Sequence, residues 1–257
     1  MKEITLEERR QIQLHMLMEI DDFCRKHNIR YSLAYGTLIG AIRHKGFIPW
    51  DDDVDIMMPL PDMLKFKALF ESETMCYCDV DVDSKYQYAF SRIANTETYN
   101  KDGLVSVTYG ICIDLYPVLG LPNSIEGVKR FFKQANLELA RRLRLIRLRR
   151  RLLRCFPIKS IFGFNKAMRR YRDFLFQYPY EKTKYFFTNG GELEMRNVYD
   201  FDLFAKMTEV LFEGHKFMSV ASYDEYLRHF YGDYMQLPPE EERVPYHGGH
   251  YYWKNKN

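Results

Sequence analysis

The chain has 257 residues, 46% apolar and 28% charged, a composition that excludes a disordered or low-complexity protein and allows a sizeable core without disulfides or structural metal. Its net charge of +3 is mild but unevenly placed: acids collect in residues 51–55 and 79–83, and arginines between Arg141 and Arg154. No apolar run approaches the ~20 residues that cross a bilayer, the start MKEITLEERR does not read as a signal peptide, and the five cysteines fit no zinc or disulfide spacing, which predicts reduced thiols in a cytoplasmic protein.

Thr5 and Glu8 have the spacing of a capping box. Ile12, Met16, Ile20 and Cys24 then recur at helical spacing, predicting an amphipathic helix that ends near His27 and Asn28. Residues 29–35, rich in aromatic and apolar side chains, predict a strand. Gly36-Thr37 leads into a short helical stretch over 38–43, followed by a loop over 45–50. A second strand is expected over 54–58, stopped by Pro59 and Pro61, and Met63, Phe66 and Phe70 mark a second helix. Residues 76–82 and 89–93 read as strands, and 111–116 more clearly so. From 124 to about 156 the pattern is helical, broken by Pro157, and it resumes from about 160 to 177. Residues 210–212 and 217–220 flank Glu213-Gly214-His215-Lys216 as a hairpin. Ser222 and Glu225 read as a capping box on a helix that Gly232 ends. There is no internal repeat and no linker long enough to separate domains. The fold class is α+β, with the sheet in the first half and helical elaboration after it.

Trp50-Asp51-Asp52-Asp53-Val54-Asp55-Ile56 carries the chemistry. On a strand, Asp51, Asp53 and Asp55 would point one way, and Asp52 and Val54 the other. Three carboxylates on one face repel one another unless a cation lies between them. Hard oxygen ligands suit Mg²⁺ or Mn²⁺. Asp114 lies in the apolar strand Ile111-Cys112-Ile113-Asp114-Leu115-Tyr116, where a lone acid is costly unless paired or metal-bound, so it is expected beside Asp53 and Asp55. A solvated acidic turn would explain an isolated Asp-Asp-Asp, but Phe47, Ile48, Trp50, Val54 and Ile56 are not turn residues. The spacing also lacks the glycine and distal glutamate of a calcium-binding EF-hand loop. Gly36-Thr37, between a strand and a helix, allows close backbone approach of a phosphate. A Gly-[Gly/Ser] turn, then Asp-x-Asp and a later strand acid, is the layout of the nucleotidyltransferase fold. Here Thr37 replaces the usual Gly or Ser, and the gap to Asp53 is somewhat long.

The stretch Tyr35-Gly-Thr-Leu-Ile-Gly-Ala-Ile-Arg-His-Lys-Gly-Phe-Ile-Pro-Trp-Asp-Asp-Asp-Val-Asp-Ile56 closely resembles the signature of the LicD family, of which the fukutin-related proteins share a looser version. The resemblance extends to Gly110-Ile-Cys-Ile-Asp-Leu-Tyr-Pro117 and to Tyr231-Gly-Asp-Tyr-Met-Gln-Leu-Pro-Pro239; between 124 and 200 there is no family motif. It implies a nucleotidyltransferase-like core with a mixed sheet flanked by helices. The expected layout is one LicD-like domain over 1–257: a core over 1–120, a helical basic insertion over 121–200, and a C-terminal hairpin, helix and tail completing the site. The implied reaction is transfer of phosphocholine or a related phospho-alcohol from a CDP-activated donor to a hydroxyl of a cell-surface glycan. Teichoic acid, lipopolysaccharide or a capsule precursor would be that glycan, and CMP would be released.

The resemblance maps catalytic acids onto Asp53, Asp55 and Asp114, metal ligands onto the same three with Asp51, and donor phosphate onto Gly36 and Thr37. Phosphoryl transfer needs positioning and charge neutralisation more than covalent help. Arg43, His44 and Lys45 bring three candidate cations near the acids, and Arg92 lies in a nearby strand. Trp50 suits stacking on a base or on cationic choline, or a place in the core.

The segment from Arg141 to Arg154 alternates cations with leucines. Leu139, Leu143, Ile146 and Leu153 share one helical face, and Leu145, Leu148 and Leu152 lie beside it. Such a helix either packs on the core with a solvated basic face or lies on an anionic membrane, here the inner face of the cytoplasmic membrane near a lipid-linked acceptor. Two other functions compete. A nucleotidyltransferase acting on a small molecule or RNA would use the same acids but release pyrophosphate. A non-enzymatic nucleic-acid-binding module would use the arginine helix, but nucleic acid avoids clustered acids without metal.

Overall fold

The structure, a computed structural model, describes residues 2–83, 86–101, 109–155, 164–188, 193–245 and 248–254; of residues 149, 150, 152–155 and 196 only the backbone is described. Helix α1 spans Leu6–Lys26. Its capping box is present: the Glu8 amide donates to Thr5 Oγ1 at 3.2 Å, and the Thr5 amide donates to a Glu8 carboxylate oxygen at 2.8 Å. Strand β1 is only Ser32–Leu33, because the chain turns at Tyr35, whose φ of 45° leaves the extended region. Helix α2 (Tyr35–Ile39) continues as a π-helical turn over Gly40–His44. Strand β2 (Asp55–Pro59) begins later than the sequence predicts, and Pro61 lies in the first turn of α3 (Leu60–Leu69), opening that helix instead of ending the strand.

Strands β3 (Met75–Cys78), β4 (Ser91–Asn95), β5 (Thr98–Asn100) and β6 (Cys112–Gly120) follow. Next come α4 (Ile125–Cys155), α5 (Phe164–Leu175), β7 (Phe186–Thr188) and β8 (Val198–Tyr199). The expected break at Pro157 and the helix start near 160 lie outside the described residues. Strands β9 (Met207–Phe212) and β10 (His215–Val220) form the expected hairpin, turning on Glu213 and Gly214 at φ 49° and 79°, the pair of positive angles of a type I′ turn. Ser222 precedes α6 (Tyr223–Tyr231) but makes no side-chain capping bond, contrary to the capping box expected there; its φ/ψ of −83°/26° is not the extended geometry of an N-cap. Gly232 ends that helix at φ 68°, and β11 is Tyr251–Trp253.

The main sheet runs β1-β2-β6-β4-β3, with β7 pairing β6 and β8 pairing β7. β2 and β6 are parallel, while β4 and β7 run antiparallel along successive stretches of the other edge of β6. The result is a mixed sheet with helices, an α+β fold. The apolar face of α1 (Leu14, Met16, Leu17, Ile20, Cys24) packs into one large core with both central strands. A smaller core holds Cys78, Val80, Tyr86, Ala94, Ile146, Phe164 and Met168, joining α4 and α5 to the β3–β4 edge. Cys24, Cys76, Cys78 and Cys112 are free thiols, and the Cys155 side chain lies outside the described residues. No described helix is long and apolar enough to cross a membrane.

Helix α4 does not bury the whole leucine stripe its sequence outlines. Ile146 is buried, but Leu143 and Leu148 are 40% and 46% exposed, because the α5 residues Phe164 and Met168 cover only the Ile146 side. Arg142, on that covered side, donates to the Gln87 carbonyl and lies 5.3 Å over the Tyr171 ring.

Candidate active site

Parallel pairing places Asp55, the first residue of β2, opposite Asp114 of β6, and antiparallel pairing places Arg92 of β4 opposite Asp114 on the far side. The three side chains therefore form one row on one face of the sheet, with neighbouring strands about 4.8 Å apart. Asp55 and Asp114 are both buried. Arg92 grips Asp114 with two bonds, Nε to Oδ1 at 2.7 Å and Nη2 to Oδ2 at 3.0 Å, the planar fork geometry that only arginine offers. Burial opposes the Arg92 charge, but Asp114 more than offsets it and holds the guanidinium's pKa well above its ordinary value. Asp55 is fixed from its backbone: its amide donates to Thr37 Oγ1 at 2.9 Å.

The remaining acids precede the strand. Because β2 starts only at Asp55, residues 51–54 form a loop and do not alternate as a strand would. Asp51, Asp52 and Asp53 instead bring one carboxylate oxygen each within 4.8 Å of the others. Helix α1 holds this loop. Arg9, itself buried, donates to Asp52 Oδ2 at 3.1 Å, and Arg10 donates to the carbonyls of Ile48, Pro49 and Asp51 at 2.7–2.9 Å. The Gly248 amide adds a bond to Asp52 at 2.9 Å. Burial, then the neighbouring Asp53, push the Asp51 carboxyl up to about 7. A Cβ at Gly36 would stand 2.6 Å from Asp51 Oδ2, so the glycine leaves room for that carboxylate against the turn. Three converging carboxylates, with that of Asp51 held above its ordinary range by burial and by Asp53, are a donor set suited to a hard divalent ion.

The cations expected nearby are distributed differently. The Arg43 guanidinium donates to the carbonyls of Tyr234 and Gln236 at 2.5 and 3.2 Å, tying the first motif to the third. His44 packs edge-on against Trp50, with its pKa lowered by burial and by Arg43. Lys45 is exposed at φ 61°, and its carbonyl accepts from the Glu213 amide at the hairpin turn. Trp50 is partly buried against the core, with the Arg243 guanidinium 5.6 Å over its ring. The row thus unites Asp55, Asp114 and Arg92, and the loop unites Asp51 and Asp53 with Asp52.

Sequence reasoning missed Arg9 and Arg10. Their signal was present: Arg9 falls in phase with Met16 and Ile20 on the apolar face of α1, where a charge needs a partner. It also missed a run of aromatic rings beside the acids. Tyr88–Phe90, Phe90–Tyr116, Tyr116–Tyr35, Tyr35–Phe230 and Phe230–Tyr231 have centroids 5.3, 4.6, 4.9, 5.3 and 4.9 Å apart. Burial, then Asp55, raise the phenol pKa of both Tyr116 and Tyr231.

Residues 28–135 match the LicD/FKTN/FKRP nucleotidyltransferase domain. The chain is 31% identical over 265 residues to "Lipopolysaccharide cholinephosphotransferase LicD" of Haemophilus influenzae, covering 96% of this chain and 97% of that protein. Shorter matches, 38% identical over 69 residues and 41% over 56, occur in uncharacterized proteins of Rickettsia typhi and Rickettsia prowazekii; they cover 26% and 21% of this chain, and 22% and 21% of those proteins. Identity across nearly the whole of both chains, on a fold that aligns the motif acids across one sheet, establishes that this chain belongs to the LicD family.

Proposed function

We propose that this protein transfers phosphocholine, or a closely related phospho-alcohol, from a CDP-activated donor to a hydroxyl of lipopolysaccharide or another cell-surface glycan, releasing CMP with the help of Mg²⁺ or Mn²⁺. The observation that carries the reading is the alignment of Asp55 with Asp114 on neighbouring parallel strands, beside the converging oxygens of Asp51, Asp52 and Asp53. The full-length match to a protein named for cholinephosphate transfer to lipopolysaccharide supports the choice of group and acceptor.

In this account Asp51, Asp53, Asp55 and Asp114 hold the ion, and Asp52 is the anchor that Arg9 uses to shape the loop. The bound ion would neutralise phosphate charge and favour an ionised acceptor hydroxyl. Arg92 fixes the orientation of Asp114 toward the ion and the acceptor hydroxyl. Gly36 leaves room for the Asp51 carboxylate, Thr37 accepts from the Asp55 amide, and the same turn receives donor phosphate. The exposed leucines and arginines of α4 rest on anionic membrane near a lipid-linked acceptor.

Incubating the purified protein and Mn²⁺ with CDP-choline, CDP-ribitol, CDP-glycerol and nucleoside triphosphates tests the reading. CMP from a CDP-alcohol supports it. Pyrophosphate from a triphosphate, without CMP, would assign the site to nucleotidyl transfer instead.

A further inference from the structure

The aromatic rings beside the acids form a continuous wall, and their chemistry differs along its length. At one end the Arg92 guanidinium lies 4.0 Å over the Tyr88 ring and 5.5 Å from that of Phe90, so this end already carries a cation. At the other end, among the described residues, no lysine or arginine covers the rings of Tyr116, Phe230 or Tyr231. Tyr116 lies two residues beyond Asp114 on the same face of β6, about 6.6 Å along the strand. Tyr231 is 43% exposed at the end of α6, and its phenol lies in the field of Asp55, Asp51 and Asp53. Tyr35 joins the two groups and is held by its positive φ and by a 2.9 Å bond from its hydroxyl to Thr188 Oγ1. The Tyr35 ring is thereby held where it contacts both Tyr116 and Phe230.

A ligand suited to such a surface has a positive charge that wants electron-rich faces and needs no hydrogen-bond acceptor. A quaternary ammonium fits this description, and aromatic faces with nearby carboxylates are how proteins bind one. A neutral alcohol carries no charge for the ring faces to attract. We propose that Tyr116, Phe230 and Tyr231, flanked by Phe90, bind the trimethylammonium end of the donor while the acid row faces its phosphates, so that this wall selects choline over uncharged alcohols. The two-carbon spacer of phosphocholine suits the short step from Asp114 to Tyr116. This inference rests on the reading that choline phosphate is the group transferred.

The test is equilibrium binding of CDP-choline and CDP-glycerol, with Mn²⁺, to the wild type and to Tyr116→Leu, Tyr231→Leu and Tyr116→Phe. The wild type is expected to prefer CDP-choline by about tenfold, the scale of a desolvated cation–π contact. Each leucine variant should bring the ratio of the two Kd values toward one, and Tyr116→Phe, which keeps the ring, should retain the preference. Tyr231 is exposed, so Tyr231→Leu reports even if Tyr116→Leu fails to fold. A wild-type ratio near one, a preference that survives both leucine variants, or an equal loss of both ligands would overturn the proposal. Preferential binding without CMP release would defeat the transfer reading and leave the subsite standing. CMP release with an unchanged preference in the variants would do the reverse.

Discussion

Asp55 of β2 stands opposite Asp114 of β6 in the parallel ladder, both buried, and Asp114 is gripped in turn by Arg92 across the next strand pair. A sheet that spends its central row on two buried acids gains no stability from placing them side by side, so their function should be separable from the fold. Asp55→Asn and Asp114→Asn keep the shape and remove the charge. Activity should fall by ~10² or more, the scale seen when preorganised electrostatic groups are lost. Steady-state kinetics on variants with native circular dichroism checks this, and near-normal turnover of folded Asp55→Asn would remove that acid from the mechanism.

Arg92 should matter to both stability and catalysis. Its side chain is 20% exposed and that of Asp114 11%, so truncating Arg92 leaves a largely buried carboxylate without its main counter-charge. Arg92→Ala is expected to cost ~2 kcal/mol or more in urea unfolding and to lower activity. Arg92→Lys keeps the charge but loses the two-bond grip and should fall between. An Arg92→Ala variant of wild-type stability would show that the pair contributes nothing to the fold.

The ion pair beneath the acidic loop allows a sharper comparison. Arg9 and Asp52 have side chains 9% and 4% exposed, whereas Lys2 and Glu8 are at 80% and 42%. Arg9→Ala should destabilise by ~3 kcal/mol, because it strands a buried carboxylate. Lys2→Ala should stay within about 0.5 kcal/mol. Paired denaturant titrations decide, and equal costs would contradict the view that Arg9 holds the loop.

Much of this was legible in the sequence where local rules act alone. The Thr5–Glu8 box, the hairpin turn at Glu213-Gly214 and the end of α6 at Gly232 each follow from chemistry within a few residues. Asp114 among apolar strand residues announced a buried partner, and the sheet supplies Asp55 and Arg92. The alternation expected of Asp51, Asp53 and Asp55 failed because Arg9 and Arg10, far earlier in the chain, hold residues 48–52 as a loop. Ser222 failed as a cap because its own backbone is not extended, and Arg43 reached carbonyls of the third motif that only tertiary packing brings near. Long-range contacts of this kind leave no periodic trace.

The basic helix makes its own prediction. Leu137, Leu143 and Leu148 are 51%, 40% and 46% exposed, and Arg144, Arg147 and Arg151 are exposed among them; the Arg149, Arg150 and Arg154 side chains lie outside the described residues. Each arginine near an anionic surface adds about 1 kcal/mol, and salt screens it. Co-sedimentation with anionic but not neutral vesicles, weakened by salt and by Arg144/Arg147/Arg151→Glu, is the expected result. Protein that stays in the supernatant with anionic vesicles at low salt would leave the helix as a solvated face.

The most direct measurement is CMP released from CDP-choline by the purified protein in the presence of a lipopolysaccharide acceptor, with Mn²⁺, with EDTA, and with Asp55→Asn. The account predicts acceptor-dependent CMP release with Mn²⁺, its loss in EDTA, recovery on adding metal back, and little or none from the folded variant. Full CMP release in EDTA, or by Asp55→Asn, would contradict it.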